Sequence, residues 1–170
     1  MEKKDLLKDV IKHIDIKSYN STELVDAMRN MSFTSRDTAR AADILMMMCK
    51  EKECTNILTL AGSTSAAGCM QVYVDMVRNK MIDVVVATGA SIIDMDLFEA
   101  LGYKHYIGEK ENVIPDTTLR ELYIDRIYDT YIDEEELQAC DHSTYELANM
   151  LEARPYSSRE FIYEIGKWLH

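Results

Sequence analysis

No stretch of this 170-residue sequence approaches the roughly 18 consecutive apolar residues that a membrane helix needs. The richest run, Ile44 to Cys49, is closed at once by Lys50, Glu51 and Lys52. The amino terminus, Met1-Glu2-Lys3-Lys4-Asp5, leads into an amphipathic segment and not into the apolar core of a secretion signal. A cytoplasmic protein is the expectation. Basic charge is scarce as well: 19 Lys and Arg face 30 Asp and Glu, a net charge of −11. That balance argues against nucleic acid as the main partner, because phosphate contacts need a basic surface. It suits a cationic partner, a polyamine or a basic protein loop. The four cysteines, Cys49, Cys54, Cys69 and Cys140, include no CxxC pair and have no His at metal-ligand spacing. No metal is expected, and the thiols read as buried and free. No Ser-His-Asp order with a nucleophile-elbow context is present, which leaves a hydrolase triad unsupported.

What is present falls into segments. Leu6, Leu7, Val10, Ile11 and Ile14 recur at helical spacing over Lys3 to Ile14. Asn20-Ser21-Thr22-Glu23 supplies cap-type residues for a second helix with Leu24, Val25, Met28 and Met31, and a third runs from about Ser35 to Cys49. The Met46-Met47-Met48 cluster suits an irregular core or an interface. Then the pattern changes. Asn56 to Ala61 is a short apolar run ending in Gly62-Ser63-Thr64-Ser65, a helix-like stretch follows, and Met81 to Ala87 is a β-branched run ending in Thr88-Gly89-Ala90-Ser91. Strand, turn, helix, strand, turn describes a βαβ unit with buried parallel strands. Gly102 to Thr118 reads as loop, and helices are predicted at about 119–130, 133–151 and 157–168. Tyr123, Tyr128 and Tyr131 then fall on one helix face. His105 lies in the loop and reads as structural, and Asp133-Glu134-Glu135-Glu136 as a solvated helix start. A single α/β domain over residues 1–170 follows, although two strands are few for a doubly wound sheet.

Ligands of such sheets sit beyond the carboxyl ends of the strands, where both small-residue turns fall. The turn Gly62-Ser63-Thr64-Ser65-Ala66-Ala67-Gly68 lets backbone N–H groups approach an anion at a helix start. It is neither GxGxxG nor a P-loop, and a tight turn without ligand fits the same residues. After the second turn, Asp94 and Asp96 can hold a ribose hydroxyl or a substrate ammonium, or can serve as helix-start acids.

Several of these segments together resemble one family. Met31-Ser32-Phe33-Thr34-Ser35-Arg36-Asp37, Arg40 to Leu45, Leu58 to Ser63, Asp83 to Ala90, Asp96 to Gly102, Asp125 to Asp129 and Arg154 to Phe161 are similar, in order, to the deoxyhypusine synthase family. The resemblance implies a Rossmann-like parallel sheet with flanking helices and a helical amino-terminal segment. It also implies tetramers with active sites between subunits, NAD as cofactor, and spermidine as donor of an aminobutyl group that passes through an imine on an enzyme lysine. The acceptor implied is a lysine of a small translation factor, or a free amine in homospermidine-forming relatives. By correspondence, Gly62, Ser63, Thr64, Ser65 and Ala66 contact NAD, as do Thr88, Gly89 and Ala90, while Asp94 or Asp96 holds spermidine. Ile92-Ile93-Asp94-Met95-Asp96 departs from the eukaryotic pattern, which has adjacent glutamates and one residue fewer, and leans towards the prokaryotic synthase-like branch. Family members are about twice this length, and the half bearing the imine-forming lysine has no counterpart; Lys104, Lys110 and Lys167 stand in the wrong context. The expectation is a split enzyme whose second chain carries that lysine, with a regulatory subunit of a full-length synthase as the alternative.

Overall fold

A computed structural model of the chain describes residues 1–108 and 113–170, so Lys110 lies outside the described residues. In chain order the first elements are α1 (Lys3–Leu6), α2 (Thr22–Met28), α3 (Phe33–Lys50), β1 (Ile57–Leu60), α4 (Met70–Arg78) and β2 (Val84–Ala87). Then come α5 (Gly89–Ser91), a widened turn (Ile92–Leu97), α6 (Phe98–Ala100), β3 (His105–Ile107), α7 (Asp116–Glu121), β4 (Ile124–Ile127), β5 (Thr130–Asp133), α8 (Glu134–Met150) and α9 (Ser158–Trp168). Two compact units share these elements. One comprises Met1–Lys12, Ala61–Gly68 and Thr88–His170, the other His13–Leu60 and Cys69–Ala87.

The second unit contains the βαβ arrangement read from the sequence. β1 and β2 pair in parallel from Ile57↔Val84 to Leu60↔Ala87. Asn56 sets that register: its backbone N–H donates to the Asp83 carboxylate at 2.8 Å, and its side chain donates to the Met81 carbonyl at 3.0 Å. Lys17 closes on Asp75 of α4 at 2.8 Å. Apolar burial is thin here: among the described residues of this unit Ala39 is the one buried apolar side chain.

The first unit holds an antiparallel sheet of order β3-β5-β4. Its main core gathers Ala66, Met95, Leu97, Phe98, Ile132, Cys140, Leu147 and Ile165, and a smaller cluster joins Leu6 to Leu119, Ile124 and Tyr131. Asp133 caps α8 and Ser157 caps α9.

The mixed α/β class stands, but this second sheet was not anticipated. The first helix stops at Leu6; beyond it Val10 bridges to Tyr106, and Ile11 donates to the His105 carbonyl at 2.9 Å. Unpaired backbone on β3 attracts this segment more strongly than its helical period holds it. The supposed loop over 102–118 contains β3. The helix predicted over 119–130 ends at Glu121 and gives way to the β4–β5 hairpin. The three tyrosines therefore share no helix face: Tyr131 is buried in the sheet and Tyr128 lies 91% exposed at the hairpin turn. Local spacing lost to β-branched pairing across that turn. Of the four thiols only Cys140 is buried, and Met46 and Met47 stand exposed and not in a core.

Candidate functional site

The turn after β1 is shaped by glycine. Gly62 has φ +66, in the left-handed region that glycine alone enters without strain, and a Cβ there would meet nothing within 4 Å. Gly68 has φ +92, and its Cβ would stand 3.0 Å from the Lys12 carbonyl oxygen, so the backbone approach permits no side chain. Between them Ala67 N–H donates to the Ser63 carbonyl at 3.0 Å and opens a helical turn over Ser65–Cys69. Ser65 and Ala66 are buried, at 2% and 1% exposure.

The turn after β2 begins with Thr88 in extended conformation as the N-cap of α5, its carbonyl receiving the Ser91 and Ile92 amides. Ser91, 1% exposed, links the two turns: its hydroxyl donates to the Gly62 carbonyl at 3.1 Å. Thus Gly62, Ser63, Thr64, Ser65 and Ala66 are joined to Thr88, Gly89 and Ala90 through a residue that sequence reasoning noticed only as part of the second turn. A hydroxyl one residue past a Thr-Gly-Ala turn was the available signal. Two polar atoms in this cradle, Thr64 Oγ1 and Ser65 Oγ, are buried with no hydrogen-bond partner among the described residues. Buried hydroxyls ordinarily find partners, so orphaned ones in a glycine-framed turn suit an external acceptor such as a ligand phosphate or hydroxyl.

Asp94 and Asp96 ride on the widened turn Ile92–Leu97, where Phe98 N–H reaches back five residues to the Ile93 carbonyl. Such turns absorb one additional residue within a helix and recur at functional sites. Both carboxylates are half-buried. Asp94 faces α8, where burial first, and the Asp141 carboxylate second, hold its carboxyl above the usual aspartate range.

His105 is in β3 and not in a loop. It is wholly buried, Nδ1 lying 2.6 Å from Glu99 Oε1, with its ring 5.1 Å from that of Phe98. The acidic run is only partly solvated: Asp133 and Glu135 bind Lys3 at 2.5 and 2.8 Å. Lys104 donates its backbone N–H to Glu136, and Lys167 pairs with Glu164 at 2.5 Å.

A family model described as deoxyhypusine synthase matches residues 23–170. The chain belongs to the deoxyhypusine synthase family. It is 64% identical over 168 residues to a deoxyhypusine synthase-like protein of Caulobacter vibrioides, covering 99% of this chain and 45% of that protein. A deoxyhypusine synthase-like protein of Coxiella burnetii is 58% identical over 167 residues, 98% of this chain and 47% of its own length. A probable deoxyhypusine synthase 2 of Methanosarcina acetivorans is 38% identical over 156 residues, 92% of this chain and 44% of that protein. The chain thus spans about half the length of the relatives it matches. Deoxyhypusine synthases are generally NAD-dependent. No helix among the described residues is long and apolar enough to cross a membrane.

Proposed function

We propose that residues 1–170 form the nucleotide-binding half of a Rossmann-like, NAD-dependent aminobutyltransferase acting on spermidine, with a second chain supplying the catalytic lysine. One observation carries the need for a cover from beyond these residues. β1 and β2 are parallel, yet Ile57 is 56%, Val84 41%, Val85 41% and Val86 54% exposed. Parallel sheets are covered on both faces in folded proteins, and apolar strands left open demand a cover. Relatives twice as long provide chain enough to supply it.

In this reading Gly62, Ser63, Thr64, Ser65 and Ala66 bind the cofactor's phosphates, with Thr88, Gly89 and Ala90 closing the cradle. Asp94 or Asp96 holds an ammonium end of spermidine. NAD supplies a hydride acceptor when bound. This chain's residues orient the donor carbon, and the partner's lysine captures the oxidised aminobutyl group as an imine while the C–N bond to the rest of spermidine breaks and 1,3-diaminopropane leaves. The acceptor is a lysine of a hypusine-type translation factor, or a free amine as in homospermidine formation. The assembly is a cytoplasmic oligomer of tetramer type.

Affinity purification of the tagged chain from its host, with intact mass on what co-purifies, tests the proposal. The expected result is a stoichiometric companion of similar size and spermidine-dependent NADH formation only when both chains are present. Co-purification with a full-length, independently active synthase favours a regulatory subunit instead. A chain that emerges alone, soluble and unable to bind NAD overturns the split-enzyme reading.

A further inference from the structure

The widened turn Ile92–Leu97 is braced from outside. The Ile93 carbonyl receives the Phe98 amide, and Cys140 Sγ of α8 lies 3.5 Å from the same oxygen. A helix left to itself closes four-residue rings, so a lasting five-residue ring requires support from its surroundings. Cys140 is fully buried, packed with Met95, Leu97 and Phe98 of this same stretch. A thiol donates only while it keeps its proton. Burial, followed by the Asp141 and Asp94 charges, pushes Cys140 up to about 11, so it stays a donor at any physiological pH. The Ile93 carbonyl belongs to the peptide that bears the Asp94 amide, so fixing one end of that peptide limits the directions open to the Asp94 side chain.

We propose that Cys140 is a positioning residue: its thiol donates to the Ile93 carbonyl, holds the widened turn, and thereby aims the Asp94 carboxylate. The bearing of this on spermidine rests on the proposed function; the bracing of the turn does not.

The test compares Cys140→Ala, which removes the donor, with Cys140→Ser, which keeps it, in the purified chain with any bound partner. Two readouts separate positioning from general stability: amide exchange at Phe98, and the titration of the Asp94 carboxyl followed by carbon NMR, with Glu160 as internal control. In Cys140→Ala the Phe98 amide should exchange about tenfold faster or more, and the Asp94 midpoint should fall towards the ordinary aspartate range. Cys140→Ser should restore both, and Glu160 should not move. If Cys140→Ala fails to fold, Cys140→Val, which fills the space without a donor, makes the same comparison. Unchanged exchange and titration in a folded donor-less variant, or a serine variant that behaves like alanine, overturns the proposal. In the assembled enzyme, Cys140→Ala should raise KM for spermidine while kcat holds. A wild-type assembly indifferent to spermidine would sink the proposed function and leave the turn measurements standing.

Discussion

The Ser65 hydroxyl is buried without a partner among the described residues, a condition that costs about 1–3 kcal/mol when nothing compensates it. If that cost exists to serve a ligand, removing the hydroxyl should relieve the free protein and harm the bound one. Ser65→Ala is therefore expected to leave unfolding stability unchanged, or raise it by up to about 1 kcal/mol, while weakening NAD binding by roughly tenfold. Urea unfolding and calorimetric titration of the assembled enzyme measure the two effects. A destabilised variant with undiminished affinity would make the hydroxyl structural. Tyr128 presents the opposite case, strain without visible service. It has φ +54 and is 91% exposed at the β4–β5 turn, so glycine there loses no packing and removes a left-handed penalty. Tyr128→Gly should stabilise the chain by about 0.5–1 kcal/mol in urea unfolding, glycine's own entropy offsetting part of the relief. A loss of stability would mean that the ring has a partner.

Elements were legible where periodicity and end chemistry agreed. α8 and α9 could be read because Asp133 and Ser157 stand at their caps before apolar runs, and β1 and β2 because their β-branched runs end in small-residue turns. The second sheet was illegible for a physical reason: Tyr128 and Tyr131 have helical spacing, and only the pairing of β5 with β3 and β4 reveals Tyr131 as a strand residue and Tyr128 as a turn residue. The same tertiary pull shortened α1. That short helix is nevertheless secured by Lys3, whose ammonium reaches Asp133 Oδ1 at 2.5 Å, the oxygen that also caps the Glu135 amide at 2.9 Å. Burial works to lower the Lys3 pKa, but the bonds to Asp133 and Glu135 outweigh it and hold the amine above its usual value. A raised folded-state value means stability present below the unfolded amine's pKa and lost as pH climbs through the folded one. Lys3→Met should thus cost about 0.5–1 kcal/mol at neutral pH, and Asp133→Ala about 1–2 kcal/mol. The double variant should fall short of their sum, because both act through one oxygen. The Lys3→Met deficit should close in strongly alkaline buffer, as the amine loses its proton; thermal unfolding across pH checks this. A deficit that closes in acid without touching the alkaline limb would assign the effect to the carboxylates alone.

At the scale of the whole molecule, the two turns that frame the cradle follow strands whose apolar side chains stay open to solvent. The sequence carried this signal in its count of strands, two where a doubly wound sheet has about five or six, but it could not say which face was missing its cover. The exposed positions Ile57, Val84, Val85 and Val86 lie on both faces of the pair, so within their own unit neither face is fully covered. A lysine at an uncovered position costs the free chain little, since its stem lies along apolar surface while the ammonium stays in water. Beneath a partner the same ammonium loses its water and lacks an acceptor. Val86→Lys should therefore leave the chain's own unfolding within about 0.5 kcal/mol of the wild type, yet weaken partner capture by at least about tenfold. Hydrogen exchange gives an independent reading: amides of β1 and β2 should slow when the partner is present, and remain fast in the lysine variant. Equal capture by Val86→Lys, with exchange at β1 and β2 indifferent to the partner, would move the interface elsewhere and remove the main support for a shared sheet.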